Sequence, residues 1–552
     1  MDTRRFILFV VLSFGILYGW SYLQHSQQPQ RPAVVQQSGA NPTAAATPSV
    51  AAAAPADTSR LQKGSRVRIT TDLIDAEIDT MGGDLRRLSL LKHGRHEQPG
   101  TPLVLLDERP DHTYVAQTGL LQASLPNLPT HRTLFTTKDS QVRLENGQDS
   151  VSVRLEAAEV GGLKVAKIYT FKRNSYLIDV KYEIQNGGAA PVALSAYYRL
   201  LRDGSLPEGS GNGFFGTATF TGPAVYTDIS KFQKVDFKDI DKGKAEYAHE
   251  GRDGWVAMIQ HYFASAWLLS ANGYQNVCAR NACRFEVKSA GDGLYSAGAV
   301  VDLPAIQPGT TSSFSVPLFA GPQETRRLLA AAPGLEFVKD YGWTSVLARP
   351  IFTLLDMIHG LVGNWGWAIV LLTLLIKVVL LWPTAASYRS MARLKKLAPR
   401  MKRLQEQYAD DRMKFQQAMM EMYKTEKVSP LGGCLPILVQ IPVFIALYSV
   451  LLATVEMRQA PWVLWIKDLS LPDPYYVLPV IMTVSSYVQT FLNPPATDPM
   501  QDKMMKLMPL IFGVMFFFFP AGLVLYWVVN NLFSIVQQWL ITRAIEKGDS
   551  PA

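Results

Sequence analysis

Cysteine is scarce in this chain, with 3 among 552 residues. That excludes a disulfide-stapled mini-domain and any multi-cysteine zinc site. The common catalytic signatures are missing too: there is no His-Glu-x-x-His, no Gly-x-Ser-x-Gly and no Gly-Lys-Ser/Thr phosphate loop. The 8 histidines are scattered, most of them before residue 300. The chain therefore reads as a protein that is not an enzyme and needs no metal, nucleotide or other cofactor. Large apolar side chains are nearly absent from residues 25–60, which are Gln, Pro, Ala, Ser and Thr. Such a segment cannot bury enough surface to offset its ordering entropy, so it is expected to be a flexible linker.

Charge is present but unevenly placed. The net charge of +8 would suit nucleic acid if it were spread out, yet Lys and Arg gather beside apolar runs, which points to membrane topology. Arg4 and Arg5 precede an apolar run from Phe6 to Leu23, expected to be a retained anchor over residues 1–24 with a cytoplasmic N-terminus. No small-x-small cleavage site and no cysteine follow that run.

From 61 to 322 the pattern is period two. Val67-Arg-Ile69, Lys167-Ile168-Tyr-Thr-Phe171 and Ile178-Asp-Val180-Lys-Tyr182-Glu-Ile184 alternate apolar with polar residues. Gly82-Gly83, Asn186-Gly187-Gly188 and Gly211-Asn-Gly213 punctuate them as turns. Many short strands with glycine-rich turns predict an all-β sandwich, placed outside the cytoplasm by the anchor. Cys278 and Cys283 flank an Arg-Asn pair that resembles a hairpin tip. A local disulfide and two reduced cysteines on strand ends are both open at this level.

Residues 323–364 carry an apolar pattern interrupted by charge, expected to form an amphipathic helix on the outer interface. Five apolar segments follow: Trp367–Trp382, Leu435–Thr454, Tyr475–Leu492, Leu507–Phe519 and Leu523–Ile541. Pro520-Ala-Gly522 turns the fourth directly into the fifth. Between Pro383 and Pro430 stand 11 Lys and Arg against 5 Asp and Glu, so this stretch is cytoplasmic by the positive-inside rule. The loop 456–474 has balanced charge with Trp462 and Trp465, as expected on the outer side. The expected architecture is a polytopic α-helical membrane protein with six spans and both termini cytoplasmic, carrying a large periplasmic β-sandwich and a short tail at 546–552.

Lys377 stands inside the first of those five segments, with Thr373 one turn away on the same face. An ionisable side chain there is a functional candidate by default; snorkelling to the nearby helix end is the bland alternative. Gln440, Ser449, Ser485, Ser486, Gln489, Asn530, Gln537 and Gln538 add polarity to the other segments. Singly, such residues hold helices together; several around one cation predict a water-filled cavity that favours acidic passengers. The basic stretch 384–430 reads as two amphipathic helices, about 384–408 and 410–427. Met391, Met419 and Met420 lie on apolar faces, and Arg393, Lys395, Lys396 and Arg400 supply charge. Adaptable methionine surfaces suit varied partners, ordinary hairpin packing is the alternative, and the basic residues suit anionic lipid or ribosomal RNA.

The stretch Lys427-Val-Ser-Pro430-Leu-Gly-Gly-Cys434-Leu-Pro436-Ile-Leu-Val-Gln440-Ile-Pro442 resembles the YidC membrane protein insertases, in their Gram-negative form with a large periplasmic domain. So do Arg458-Gln-Ala-Pro461, Asp473-Pro-Tyr-Tyr476, Asp498-Pro-Met500 and Phe519-Pro520-Ala-Gly522-Leu-Val-Leu-Tyr526-Trp527. The resemblance implies a five-helix core over residues 365–545, enclosing a hydrophilic groove open to cytoplasm and lipid but closed to the periplasm. It puts the groove cation on Lys377, with Thr373, Tyr526 and Trp527 as neighbours. It also implies nascent membrane proteins with short, often acidic translocated segments as clients, and the Sec translocon and the ribosome as partners. A solute transporter is the competing class, but no internal repeat shows among five unequal spans.

Overall fold

The computed structural model describes residues 61–546, apart from 96–99, 126, 208–219, 409–410, 427–434 and 494–498. The expected anchor, linker and final tail lie outside the described residues, as do the 211–213 turn, Asp498 and the stretch from Lys427 to Cys434.

Among the described residues of 66–322, two facing sheets form, of ten and nine strands, antiparallel in every pairing but one. The strand Leu177–Asn186 shows why this sequence makes them. Ile178, Val180, Tyr182 and Ile184 point into the core while Asp179, Lys181 and Glu183 face outward, the two-residue period of a pleated strand. It pairs with Leu163–Lys172 on one side (Val180 opposite Tyr169) and Thr311–Pro322 on the other (Val180 opposite Val316). Gly82 and Gly83 both hold positive φ, 81° and 56°, which glycine adopts without strain. The turn aims their carbonyls at Lys167, whose Nζ donates to Gly82 O at 2.7 Å and Gly83 O at 3.3 Å. Burial pushes this ammonium down to about 8, with Asp84 opposing the shift. Cys278 and Cys283 are joined by a disulfide, Cα atoms 5.1 Å apart. Only Cys283 begins a strand; Cys278 sits in a turn, so the pair closes a loop rather than a hairpin.

Two short helices, α1 (Phe237–Asp241) and α2 (Thr325–Ala331), belong to this domain. The helical part comprises α3 (Ser345–Val362), α4 (Trp365–Val379), α5 (Leu381–Gln407), α6 (Arg412–Thr425), α7 (Leu435–Ala453), α8 (Val477–Leu492), α9 (Pro499–Phe516) and α10 (Ala521–Glu546). Its core gathers Leu355, Ile369, Leu372, Leu447, Val450, Met482, Leu523 and Val524, with α10 packed on α4, α5, α7 and α8. Three expectations need correction. The apolar run 367–382 is not one straight span: α4 ends at Val379, and the chain bends by 69° into α5. Pro383 has no N–H for the Val379 carbonyl and its ring crowds the preceding turn, which forces the break. The amphipathic helix expected within 323–364 starts only at Ser345, after two 3₁₀ turns; by length and composition alone Gly342–Val362 also meets the requirement for a span. The fourth apolar segment is helical from Pro499, well before Leu507, and ends at Phe516. Proline opens that helix where its missing N–H costs nothing.

The two parts meet at the end of α7. His261 Nε2 lies 2.8 Å from Leu452 O, Gly94 N donates to Gln459 Oε1 at 3.3 Å, and Lys339 pairs with Glu456 at 3.0 Å. Lys339 is buried; desolvation lowers its pKa, while Glu456 opposes that shift.

Candidate functional site

Asn364 caps α4 by accepting from Trp367 N at 3.1 Å, and Gly366 lets the helix pack against Trp462, which a Cβ would strike. So anchored, α4 places Thr373 and Lys377 on one buried face. The Thr373 hydroxyl donates to Ile369 O at 2.7 Å, so it serves its own helix. Lys377 Nζ donates to Ser534 Oγ on α10 at 2.7 Å. Ser534 Oγ in turn donates to Asn530 O at 2.7 Å, and Tyr388 of α5 hydrogen-bonds the same hydroxyl. A serine hydroxyl offers one donor and two acceptor positions, so these three partners fill it.

Beside this junction lies a cavity of about 460 Å³ between α5, α7, α8 and α10. Its wall carries Tyr388, Gln440, Ser486, Gln489, Asn493, Asn530, Asn531 and Ser534, with Met391, Phe444 and Trp527 as apolar panels. Asn531 Nδ2 donates to Ser486 Oγ at 2.7 Å, and Gln538 to Asn493 Oδ1 at 3.1 Å, bonds that fix α10 against the end of α8. Lys377 is not on that wall. It borders a separate cleft of only about 10 Å³ with Thr373, Thr384, Gln440, Tyr526 and Asn530. Gln440 and Asn530 face both spaces. The cation stands one side chain behind the cavity, and Ser534 is the side chain between.

Of the residues singled out in the sequence, Lys377, Thr373, Gln440, Tyr526 and Asn530 meet around the narrow cleft, and Trp527 stands on the cavity side. Tyr526 is buried and hydrogen-bonded to Gln440. The Trp527 ring packs on Phe444 at 5.0 Å, and its buried Nε1 has no acceptor among the described residues. Met391 faces the cavity rather than a free hairpin surface. Met419 is buried, whereas Met420 and Arg393 are exposed. Arg400 pairs with Glu426 at 2.5 Å across the hairpin, while the side chains of Lys395 and Lys396 lie outside the described residues. Sequence reasoning missed Tyr388, Ser534, Asn531 and Asn493. For Ser534 a signal existed: Asn530, Ser534 and Gln538 recur every four residues, one polar stripe down α10.

Two family models together match nearly all of the described chain: "YidC periplasmic domain" over residues 66–354 and "60Kd inner membrane protein" over residues 357–548. Among curated proteins, the membrane protein insertase YidC of Laribacter hongkongensis is 56% identical over 558 residues, covering 100% of both chains. The protein of that name from Dechloromonas aromatica is 50% identical, covering 100% of this chain and 99% of its own. The one from Neisseria meningitidis serogroup C is 48% identical, covering 99% and 98%.

Proposed function

The chain belongs to the YidC family of membrane protein insertases, and from that premise we propose that it inserts client proteins into the bacterial inner membrane through the α5–α7–α8–α10 cavity, with Lys377 as its fixed positive charge. Insertion itself makes and breaks no covalent bond; the work is to lower the cost of moving a polar segment into the bilayer. The observation that carries the reading is the cavity wall, where amides and hydroxyls from four helices surround a space with a buried ammonium one hydrogen bond behind it.

The mechanism follows from that geometry. The hairpin of α5 and α6 receives the nascent chain, with Met420 and Arg393 on its open surface. A short hydrophilic segment enters the cavity, where Asn, Gln and Ser groups replace part of its water. Lys377 attracts acidic residues in that segment as a point charge. The client's apolar helix then leaves between α7 and α9 into lipid, where exposed Ile441, Leu510, Ile511 and Val514 offer an apolar path and the hydrophobic effect drives transfer. The basic stretch from 383 to 430 is cytoplasmic, the β-domain and the 456–474 loop are periplasmic, and both termini are cytoplasmic in six spans. The Sec translocon, the ribosome and anionic lipid are the partners this arrangement would use.

The test is reconstitution of the purified protein into liposomes with a short single-span client bearing an acidic translocated end. Protease protection of that end above empty liposomes is expected. Absence of protection with folded protein would overturn autonomous insertion and leave a role only beside the translocon.

A further inference from the structure

A second cleft, of about 230 Å³, lies at the junction of the β-domain with the outer end of α7 and has no part in the mechanism above. Four arginines line it, Arg95, Arg109, Arg202 and Arg458, against two aspartates, Asp107 and Asp111. Arg202 is fully buried. Its guanidinium lies over Tyr114, 5.3 Å from the ring centre, and one nitrogen donates to Ser205 O at 2.7 Å. Its Nε and Nη1 are buried with no acceptor among the described residues. The carboxylate next to it in sequence is already engaged: Asp203 accepts from Thr113 N at 2.6 Å and Ser205 N at 2.8 Å, and meets His112 Nδ1 at 2.8 Å. Asp107 is engaged likewise, by Arg109 at 2.9 Å.

Arg458 enters from the other side, on the loop that follows α7. It stacks over Phe263 and Tyr262, at 5.6 and 6.0 Å, and its Nη1 is also buried without an acceptor. Asp468 is near enough to act on its charge, but that carboxylate accepts from the Ser470 amide and hydroxyl. Leaving guanidinium donors buried and unmatched is costly. An oxyanion in the cleft would offset part of that cost through the summed charge of the guanidinium groups around it, and the forks that reach the cleft fit phosphate and carboxylate oxygens two at a time. Position selects between oxyanions. The cleft adjoins His261, which binds the Leu452 carbonyl in the last turn of α7, and the same loop carries Trp462 and Trp465, residues suited to a membrane interface.

We propose that this cleft binds the phosphate of an anionic phospholipid headgroup from the outer leaflet, held by the combined positive charge of the arginines that line it, with Arg458 as the contacting residue and Arg202 as the buried charge behind it. The choice of a lipid source rests on the topology proposed above; the oxyanion site does not.

The experiment uses the full-length protein, delipidated in detergent, with native mass spectrometry to count retained lipid and thermal unfolding to follow stability. Phosphatidylglycerol, phosphatidylcholine and inorganic phosphate are added separately to the wild type, to Arg458→Gln and to Arg202→Gln. Retention of one phosphatidylglycerol by the wild type, at least tenfold weaker in Arg458→Gln and not displaced by phosphatidylcholine, is the expected result. Stabilisation by inorganic phosphate in the wild type but not in Arg458→Gln, without lipid retention, keeps the oxyanion site and assigns it to free phosphate. Equal retention and equal stabilisation in wild type and Arg458→Gln overturn the proposal, as does a response only to an acidic peptide. Arg458→Gln stands outside the β-domain's core, so it decides the matter even where Arg202→Gln does not fold. Insertion measured in parallel separates the two readings, since loss of insertion with lipid binding intact leaves this site in place.

Discussion

Replacing Lys377 tests whether its charge, rather than its bulk, drives insertion. The ammonium is 2.7 Å from Ser534 Oγ, and Ser534 lines the cavity. A client carboxylate in van der Waals contact with the cavity side of that serine would sit roughly 6 Å from the charge, one hydrogen bond and one contact distance away. Coulomb's law then gives about 3 kcal/mol at an effective dielectric of about 20, and about 1.5 kcal/mol if water in the cavity doubles it. At about 1.4 kcal/mol per decade, that is a roughly ten- to one-hundred-fold loss of partitioning for a client with one acidic residue. Lys377→Met keeps the length of the side chain and removes the charge. Protease protection in proteoliposomes should fall by that factor for an acidic client and stay near wild type for a client with the acid changed to Asn. Lys377→Glu should lower acidic clients further and favour a client bearing Lys in its place. Equal losses for acidic and neutral clients, with the variant monodisperse and normally stable, would refute the charge argument and make Lys377 a packing residue.

Glu456→Ala should strand the buried Lys339 ammonium at the junction, costing about 3 kcal/mol. Hydrogen exchange in Thr325–Val338 should accelerate, and the Lys339→Met/Glu456→Ala pair should recover much of the loss; unchanged exchange in the single variant would count against a coupled junction. His93 is held neutral by burial first and by Arg458 and Arg327 next, with its pKa lowered to about 4 from 6.5, so its approach to Glu324 at 4.0 Å is not an ion pair at neutral pH. The unfolded chain binds the extra proton between those values, so the contribution of His93 is complete above pH 6.5 and is lost as pH falls towards 4, by up to about 3 kcal/mol. His93→Gln should flatten unfolding free energy against pH in that window, and parallel profiles for the two proteins would dispose of the idea. Reducing the Cys278–Cys283 bond, which closes a loop with a sequence separation of only 5, should cost about 2 kcal/mol, read as a lower unfolding midpoint of the full-length protein in detergent. A midpoint indifferent to reductant would show that the closed loop adds nothing.

Much of the architecture is local information. The two-residue alternation through Ile178, Val180, Tyr182 and Ile184 is enough to read a half-buried strand, because neighbouring side chains must leave a pleated backbone on opposite faces. The apolar runs after Trp365 mark membrane helices, because a backbone in lipid has to satisfy its own hydrogen bonds. Lys377 stands out in the sequence for the same reason: the cost of its charge depends on its immediate apolar neighbours. The motifs around Pro442, Asp473 and Pro520 carry the family. The sequence leaves open where each of these groups ends up. The ammonium of Lys377 meets Ser534 across a separation of 157 residues, and a serine inside an apolar helix is unremarkable until its partner is known. Lys339 meets Glu456 across 117 residues, and Arg202 and Arg458 line one cleft although they belong to different parts of the chain. Local pattern fixes what a segment must bury, because that cost falls on the segment alone. Which donor finds which acceptor is decided only when distant segments pack, and so the tertiary structure alone placed the cation behind a serine and brought two arginines from distant segments to one cleft.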